Sequence, residues 1–283
     1  MNKNVINTDL TGKVAVVTGA GGVLCSAFAK VLANAGAKVA LLDINEAAAA
    51  AFAEEIVAEG GVAKAYKCNV LDKANCCEVA EQVKADFGPC DVLINGAGGN
   101  NPRATTDKEY YEAGDIDADT KSFFDLDADG VSFVFNLNFL GTLLPTQAFA
   151  QQMVDRKGCS IINISSMNAY TPLTKIPAYS GAKAAISNFT QWLAVHFSKV
   201  GIRVNAIAPG FFVTKQNEKL LFNEDGTPTP RTGKILAATP MGRFGKAEEL
   251  NGALLFLVNE EAASFINGIV IPVDGGFSAY SGV

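Results

Sequence analysis

Residues 14–22, VAVVTGAGG, decide the fold of this protein. Val14 to Val17 predict a short buried β-strand, and the glycine-rich turn after it leads into a helix predicted from about Leu24 to Ala35. Glycine removes the side chains that would keep a phosphate away from the free N–H groups at a helix N-terminus. The order strand, glycine turn, helix therefore predicts a binding site for a pyrophosphate.

The second predicted strand, Lys38 to Leu42, ends in Asp43, about 20 residues beyond the glycines. An acid at this place accepts hydrogen bonds from the ribose hydroxyls of adenosine and repels a 2′-phosphate. We therefore expect the chain to bind NAD in preference to NADP.

Helical and apolar segments continue to alternate after this acid. The pattern predicts two further helices and two further strands, namely helices at about 46–59 and 72–87 and strands at 62–67 and from Asp91 to Ile94. Short apolar runs between helices are what a parallel sheet covered on both faces requires. We expect one α/β domain over residues 1–283, Rossmann-like and doubly wound, with a mainly parallel sheet of about seven strands flanked by helices.

Two long polar segments interrupt the alternation. Residues 99–129 form an acidic connection, and residues 211–240 form a proline-containing segment that suggests a substrate flap. Loops of this length in compact domains tend to be functional or mobile. Both are therefore candidates for contact with a substrate.

An apolar helix is predicted at about 130–155, and it contains Asn138 within the run VFNLNFLGTLL. A buried asparagine needs hydrogen-bond partners, so it is either a satisfied core residue or part of a polar relay. The remaining predicted elements are a helix to about Lys199, a strand from Arg203 to Ile207, a helix near 246–258 and a last strand from Ile269 to Val273.

Residues 161–183, IINISSMNAYTPLTKIPAYSGAK, hold the groups best suited to chemistry. The predicted strand from Ile161 to Ile164 ends in two serines, the second of which is Ser166. Tyr179 and Lys183 fall on one face of a helix because they are one turn apart. A tyrosine loses its proton only near pH ~10 unless a charge such as a neighbouring ammonium stabilises the phenolate.

Two interpretations fit this Tyr-x-x-x-Lys spacing. Taken alone, it also fits an ordinary pair of residues on the surface of a helix. Ser166 narrows the choice, because its hydroxyl facing the pair would hold a carbonyl or alcohol oxygen while a proton moves. The stretch therefore indicates a proton-transfer device for an alcohol/ketone couple.

Composition limits the classes of function. The chain has 283 residues, 49% of them hydrophobic, so it can bury a large core. A net charge of −6 argues against nucleic-acid binding, and no apolar stretch suits a signal peptide or a membrane span. Six cysteines without C-x-x-C spacing indicate reduced thiols, and a single histidine makes a histidine-based metal site hard to build. We expect a cytoplasmic protein that acts on a small molecule without a metal.

Ordered motifs match one family over nearly the whole chain, and the sequence resembles the short-chain dehydrogenases/reductases. Thr18-Gly19 resembles the start of the family's cofactor turn, and residues 95–98, Asn-Gly-Ala-Gly, resemble its Asn-Asn-Ala-Gly element. The resemblance implies a catalytic tetrad of Asn138, Ser166, Tyr179 and Lys183.

The same resemblance implies a role for each member of the tetrad. Tyr179 would be the general acid/base, and Ser166 would polarise the carbonyl. Lys183 would lower the pKa of the tyrosine and bind the nicotinamide ribose, and Asn138 would complete a water-linked proton relay.

The resemblance also implies where the cofactor NAD would lie. Pro209-Gly210 with Thr214 resembles the segment that holds the nicotinamide carboxamide. Together with the glycine turn and the strand ends, the candidate cofactor-binding residues are Gly19, Gly22, Val23, Leu24, Asp43, Ile44, Asn69, Val70, Asn95, Ala97, Gly98, Tyr179, Lys183, Pro209, Gly210, Phe212 and Thr214.

The glycine turn departs from the family pattern Thr-Gly-x-x-x-Gly-x-Gly. Val23 and Cys25 stand where the second and third family glycines are expected, and Gly21 and Gly22 partly compensate. The departure affects the expected path of the turn and the affinity for cofactor more than the fold.

Four stretches look closer still to one branch of the family, the D-mannonate oxidoreductases of the short-chain type, also called D-fructuronate reductases. They are GGVLC (21–25), GGNNPRATT (98–106), FLGTLLPTQ (139–147) and SSMNAYTPLTKIPAYS (165–180). This resemblance implies NAD(H)-dependent hydride transfer between D-fructuronate and D-mannonate. Family behaviour further implies a homo-oligomer, expected to be a tetramer.

A hexuronate carries a carboxylate, which needs a local cation in a chain of net charge −6. Arg103 and Lys175 are the candidates nearest the catalytic residues in sequence, although Arg103 fits a solvated surface arginine equally well. Less favoured are Lys215, Arg231 and Arg243. Beside Ser166, the side chains of Asn100, Asn101 and Asn168 suit sugar hydroxyls, but asparagines also cap turns.

Two rival functions remain open at this point. A gluconate 5-dehydrogenase acting on 5-keto-D-gluconate would use the same residues on a neighbouring sugar acid. A nucleotide-binding scaffold or sensor that has lost turnover would need the fold alone. The complete tetrad argues against the scaffold, since a pure binder has no use for all four residues.

Overall fold

Seven parallel strands form one sheet in a computed structural model that describes residues 7–214 and 218–282. Their order is β3-β2-β1-β4-β5-β6-β7. The strands are β1 Val14–Thr18, β2 Lys38–Asp43, β3 Val62–Lys67, β4 Val92–Asn95, β5 Cys159–Ile164, β6 Ile202–Pro209 and β7 Val270–Val273. The predicted Rossmann-like, doubly wound α/β architecture is confirmed.

Helices connect the strands and cover the sheet. They are α1 Val23–Asn34, α2 Glu46–Ala58, α3 Lys73–Phe87, α4 Ala128–Phe135, α5 Gly141–Phe149, α6 Pro177–His196, α7 Glu218–Leu221, α8 Pro230–Ala237, α9 Asn251–Val258 and α10 Glu260–Ala263. In the part of the chain that the structure describes, no helix has the length and apolarity needed to cross a membrane.

Two hydrophobic cores lie on the two faces of the sheet. Alternate residues of β1 divide between them, because successive side chains of a strand point to opposite faces. Ala15 and Val17 pack in a core with apolar residues of α1, α2 and α9, whereas Val14 and Val16 pack in a core with residues of α3, α5 and α6. The near-continuous apolar runs of the sequence follow from this double burial.

The long helix predicted at 130–155 is divided in the structure. A π-helical turn, Asn136–Leu140, separates α4 from α5, and α5 gives way to a 3₁₀ turn, Ala150–Gln152. Asn138 lies within the π-helical turn, and its side-chain amide donates to the Val134 carbonyl at 2.8 Å. The last turn ends before Asp155, which has a φ of 59° that a helix does not accommodate. The sequence prediction missed both interruptions.

The polar segment 99–129 contains three short 3₁₀ turns, Pro102–Ala104, Asp115–Asp117 and Phe123–Asp125. It is anchored beside the start of α6, because the Thr106 N–H donates to the Lys175 carbonyl at 2.9 Å. The chain reverses its path between β3 and β4, which lie on opposite sides of β1 and β2. A crevice at the carboxyl ends of strands around such a reversal is where open α/β sheets bind ligands.

Candidate active site

The glycine turn after β1 packs directly on the loop after β4. The Thr18 hydroxyl accepts hydrogen bonds from the N–H groups of Gly96 at 3.0 Å and Ala97 at 3.2 Å. Gly19 has a φ of 68°, and a Cβ there would lie 2.9 Å from the Ala97 backbone. Glycine is therefore required at the first position of the turn.

The helix that follows the turn has the geometry of an anion site. Gly22 is the N-cap of α1 and has no side chain to make a capping hydrogen bond. The N–H groups of the first helical turn, which include those of Val23 and Leu24, have no partners within a helix and remain available to a ligand. With the positive end of the helix dipole, they suit the pyrophosphate of a dinucleotide.

Asp43 lies beside this turn at the end of β2, as the sequence predicted. One carboxylate oxygen accepts from the Gly21 N–H at 2.9 Å, and the other accepts from the Asn45 N–H at 2.9 Å. A Cβ at Gly21 would lie 3.1 Å from the Asp43 carboxylate, so a glycine lets the acid approach the turn. The neighbouring residue Ile44 is 66% exposed.

The side chain of Cys25 occupies the space that a side chain at position 96 would need. A Cβ placed on Gly96 would overlap the Cys25 sulfur, so the extra side chain in the turn occupies the space left by the missing side chain in the loop. Cys25 is buried, and burial raises the pKa of its thiol to about 12. The two departures from the family pattern thus compensate in volume and preserve the contact between turn and loop.

Gly96→Ala is therefore expected to lower the free energy of unfolding by about 1–3 kcal/mol, because it overpacks a closed contact. Adding Cys25→Ala should recover at least about 1 kcal/mol of that loss. Chemical denaturation of the two single variants and the double variant measures this coupling.

Gly252→Ala in α9 is a suitable control for the added methyl group, because nothing lies within 4 Å of a Cβ at that position. It should be neutral or slightly stabilising. Losses that simply add in the double variant would contradict the compensation between Cys25 and Gly96.

Other predicted cofactor residues lie along the same edge of the sheet, with differing exposure. Asn69 is exposed and Val70 is buried after β3. Asn95 lies in the core, where its amide donates to the Thr146 hydroxyl and the side-chain oxygen of Asn163, each at 2.9 Å. Asn95 therefore holds β4 against β5 and α5, and its side chain is turned away from the edge.

The segment after β6 lies at the carboxyl edge of the sheet and packs against the end of β7. The Gly210 N–H donates to the Val273 carbonyl at 3.0 Å, and a Cβ on Gly210 would lie 2.6 Å from the Asp274 Cβ. Phe212 is buried and pairs in a bridge with Gly245, and Thr214 is half-buried. Pro209 to Thr214 thus leave the sheet at the edge that also carries the glycine turn.

Ser166, Tyr179 and Lys183 come together at the end of β5, as the sequence predicted. The Lys183 ammonium donates to the Ile164 carbonyl at 2.8 Å and lies 5.6 Å from the centre of the Tyr179 ring. The Ser166 hydroxyl hydrogen-bonds to the phenol oxygen of Tyr179. The Lys183 bond to the last residue of β5 therefore ties α6 to the strand end that leads to Ser166.

Burial dominates the electrostatics of this group. It raises the pKa of Tyr179 to about 12, opposed by the hydrogen bond from Ser166, and it lowers the pKa of Lys183 to about 8. Burial disfavours the charged form of each group. At neutral pH the tyrosine is therefore a phenol with a proton to give, and the lysine is an ammonium.

Asn138 joins the site through the backbone after β4. Its amide nitrogen donates to the Gly99 carbonyl at 2.8 Å, and its amide oxygen accepts from the Gly99 N–H at 3.3 Å. A Cβ on Gly98 would lie 2.6 Å from that oxygen and 3.2 Å from the Lys183 ammonium nitrogen. With its amide committed to Gly99 and Val134, Asn138 positions the glycine segment against Lys183.

The candidate cations differ in how far the protein already neutralises them. Arg103 is ion-paired with Asp127, its Nη2 lying 2.6 Å from the carboxylate, and this contact lowers the pKa of Asp127. Arg243 is ion-paired with Glu249 at 2.6 Å. Lys175, by contrast, has no ion-pair partner among residues 7–214 and 218–282, and it holds a φ of 71° that is unusual for a residue with a side chain.

The remaining candidates for contact with a substrate differ in burial and in the hydrogen bonds that they already make. Asn168 is buried two residues after Ser166, whereas Asn100 donates to the Thr105 hydroxyl at 3.1 Å and Asn101 caps the 3₁₀ turn Pro102–Ala104. Arg231 is exposed on α8, and Lys215 lies outside the described residues.

One contact of the site was not predicted. Lys234 on α8 forms an ion pair with Glu109 at 2.8 Å, which joins the two polar segments 99–129 and 211–240. Lys175 and Arg231 also lie within electrostatic range of the Glu109 carboxylate and help to lower its pKa. The pair is 125 residues apart in sequence, so no local pattern signals it. The two segments therefore meet over the same part of the surface.

The chain is similar to known proteins over nearly its whole length. A family model described as short chain dehydrogenase matches residues 13–225. An uncharacterised oxidoreductase of Haemophilus influenzae is 65% identical over 277 residues, which is 98% of this chain and 97% of the relative. The gluconate 5-dehydrogenase of Gluconobacter oxydans is 34% identical over 269 residues, 95% of this chain and 96% of that enzyme.

A solved structure shares nearly the whole geometry of this fold. The crystal structure of a Haemophilus influenzae protein proposed to be a D-mannonate oxidoreductase, with NAD bound, superposes with a TM-score of 0.94 at 64% identity. The match covers 99% of this chain and 100% of the other.

Proposed function

This chain belongs to the short-chain dehydrogenase family, and from that premise we propose that it interconverts D-fructuronate and D-mannonate with NAD(H). It is an oxidoreductase of that family. The observation that carries the proposal is the meeting of Ser166, Tyr179 and Lys183 at the sheet edge that also holds the glycine turn and Asp43.

The proton chemistry follows from the state of these groups. In the reducing direction the ketone oxygen would sit between the Ser166 and Tyr179 hydroxyls, which both donate to it. Bound NADH supplies a hydride from the nicotinamide C4. Tyr179, a phenol at neutral pH, gives its proton to the oxygen as negative charge develops there, and the Lys183 ammonium stabilises the phenolate left behind.

A carboxylate-bearing substrate is supported by the charges around the site. Arg103 is neutralised by Asp127, whereas Lys175 stands four residues before Tyr179 without an ion-pair partner in the described part of the chain. We assign the substrate carboxylate to Lys175 in preference to Arg103. The similarity to a protein proposed to be a D-mannonate oxidoreductase supports a hexuronate in particular.

A gluconate 5-dehydrogenase is the second candidate, and the 34% identity to such an enzyme favours it. Its substrate is also a keto sugar acid, so the same proton chemistry serves both. A scaffold without catalytic activity is disfavoured. Binding alone requires neither the hydrogen bond of Ser166 to Tyr179 nor the buried Lys183 ammonium beside the tyrosine.

Initial rates of NADH oxidation with D-fructuronate and with 5-keto-D-gluconate test the choice of substrate. We expect kcat/KM to favour D-fructuronate by at least about 10-fold, a difference of about 1.4 kcal/mol in transition-state binding. A preference for 5-keto-D-gluconate would replace the proposed function by its rival.

Asp43→Ala is expected to lower the ratio of kcat/KM for NAD to that for NADP by about 10-fold or more. The change removes both a hydrogen-bond acceptor for the ribose and the charge that repels a 2′-phosphate. Rates with the two oxidised cofactors and D-mannonate measure the ratio.

Glu46→Ala is the matched control, because Glu46 is an exposed acid three residues further along the chain. It changes the net charge equally, so it should leave the ratio unaltered. If Asp43→Ala and Glu46→Ala gave the same ratio as the unmodified protein, Asp43 would not be the ribose ligand.

We also propose that the protein is cytoplasmic and assembles as a homo-oligomer, specifically a tetramer. Support for assembly, though not for the number of subunits, comes from an exposed aromatic row along α6. Trp192 is 56% exposed and stacks between Phe189 at 6.2 Å and His196 at 4.6 Å, measured between ring centres. Such exposed rows often mark contacts between subunits.

A further inference from the structure

Asn168 has a buried amide oxygen without a hydrogen-bond partner. The residue is 3% exposed, and within residues 7–214 and 218–282 no donor reaches its Oδ1 atom. Leaving a buried polar atom unpaired costs about 1–3 kcal/mol. A buried polar atom without a partner needs an explanation. A bound ligand that donates a hydrogen bond to the atom would provide one.

The position of Asn168 ties it to the catalytic serine. Ser166 caps the short 3₁₀ turn Met167–Ala169, and its hydroxyl accepts from the Asn168 N–H at 3.2 Å. The serine that holds the ketone oxygen and the asparagine with the unpaired acceptor therefore belong to one rigid turn. A donor close to the ketone of a bound substrate is the group most suited to reach that turn.

Resting on the proposed function, we infer that Asn168 is a specificity-determining residue that accepts a hydrogen bond from the secondary hydroxyl on the chain carbon next to the ketone, which is C4 when the carboxylate carbon is C1. The two keto sugar acids carry a hydroxyl at this carbon, on the side of the ketone opposite their hydroxymethyl group, whereas simple ketones do not. A buried acceptor of this kind discriminates strongly, because a substrate without the hydroxyl leaves the acceptor unpaired. The site thus selects ketones that carry this secondary hydroxyl over ketones that lack it.

The test compares D-fructuronate with its 4-deoxy analogue, numbered from the carboxylate carbon, in the protein and in Asn168→Leu. The analogue keeps the hydroxymethyl group next to the ketone and lacks only the C4 hydroxyl. The unmodified protein should prefer D-fructuronate in kcat/KM by about 100-fold or more. In Asn168→Leu, kcat/KM for D-fructuronate should fall by about 100-fold, while that for the deoxy analogue changes by less than about 3-fold. Asn168→Asp keeps an acceptor oxygen in place and should keep the preference for the hydroxyl.

Ser160→Ala provides the matched control. Ser160 also has a buried oxygen without a partner, and it lies near the start of β5, whose end leads to Ser166. Six residues of extended chain separate the two serines by roughly 20 Å. This variant should leave the preference between the two substrates unchanged.

The outcomes separate this inference from the proposed function. Equal rates with D-fructuronate and its deoxy analogue in the unmodified protein would overturn the role of Asn168 and leave the proposed function standing. If D-fructuronate is inert, the proposed function fails, and the same ratio measured with 5-keto-D-gluconate and its 4-deoxy analogue decides the role of Asn168. Inertness of all four compounds would overturn both. Because thermal unfolding and NADH binding are followed in each variant, a misfolded Asn168→Leu is recognised, and Asn168→Ala then takes its place.

Discussion

Replacing Tyr179 with phenylalanine is expected to lower kcat for ketone reduction by about 10³-fold or more while NADH still binds. The variant loses the proton donor and keeps the ring that packs with Val131, Val134 and Ala182. General acid catalysis by a positioned side chain contributes about 10²–10⁴ in rate, and in the proposed mechanism the Tyr179 phenol is that acid. Steady-state rates and fluorescence titration with NADH measure the two effects separately.

Tyr66→Phe is the matched control for removing a phenolic hydroxyl. The Tyr66 hydroxyl donates to the Asp86 carboxylate at 2.7 Å. Tyr66 belongs to the edge strand β3, away from the end of β5. This variant should lose about 1.5–3 kcal/mol of stability, because the bond is to a charged carboxylate, and it should keep its kcat. Equal kcat in Tyr179→Phe and in the unmodified protein would contradict the assignment of the acid and would favour a binder or a different catalytic group.

The rate of ketone reduction is expected to fall above pH about 8, because Lys183 then loses its proton. Burial lowers the pKa of Lys183 to about 8, so the stabilising ammonium is present below that pH and absent above it. Burial raises the pKa of Tyr179 to about 12, so the phenol keeps its proton throughout this range. The alkaline limb of the profile therefore reports the lysine.

Lys183→Met tests this assignment through the shape of the profile as well as the rate. We expect kcat/KM to fall by about 100-fold at pH 7 and the limb near pH 8 to disappear, since methionine does not titrate. Profiles of kcat/KM for D-fructuronate in the two proteins provide the measurement. A limb that persists in Lys183→Met would assign the titration to another group.

Features that depend on local pattern were predictable from sequence. The strand from Val14, the glycine turn and Asp43 follow from apolar periodicity and from the φ angles that glycine permits. Tyr179 and Lys183 share a helix face because their separation is one turn. For these residues the structure agrees with the predicted placement, and the sheet of seven parallel strands confirms the predicted fold.

Features that depend on contacts distant in sequence were not predictable. The π-helical turn Asn136–Leu140 contains Asn138, which bonds to Gly99 nearly forty residues earlier, and the pattern of the run VFNLNFLGTLL gives no sign of that contact. The ion pair of Arg103 with Asp127 and the compensation between Cys25 and Gly96 also need the folded chain. The sequence therefore indicated the candidate catalytic and charged residues, whereas the structure shows which of the charged side chains already form ion pairs.

The ion pairs within the protein limit which charged side chains remain as candidates for contact with a substrate. Two segments that the sequence marks as polar loops are joined by Glu109 and Lys234, and Lys175 lies within electrostatic range of the same carboxylate. The sugar-acid substrate that we propose would meet Lys175 here, whereas Lys234 is already paired with Glu109. Local positive charge in a protein of net charge −6 favours the approach of small anions.

Transfer of deuterium to the sugar acid from NADH that carries deuterium at both hydrogen positions of the nicotinamide C4 tests the central claim most directly. The purified protein is incubated with D-fructuronate and the labelled cofactor, and the product is analysed by NMR and mass spectrometry. The account predicts D-mannonate carrying one deuteron on the reduced carbon for each NADH oxidised. NADH consumption without label in D-mannonate, or no consumption at all, would contradict it.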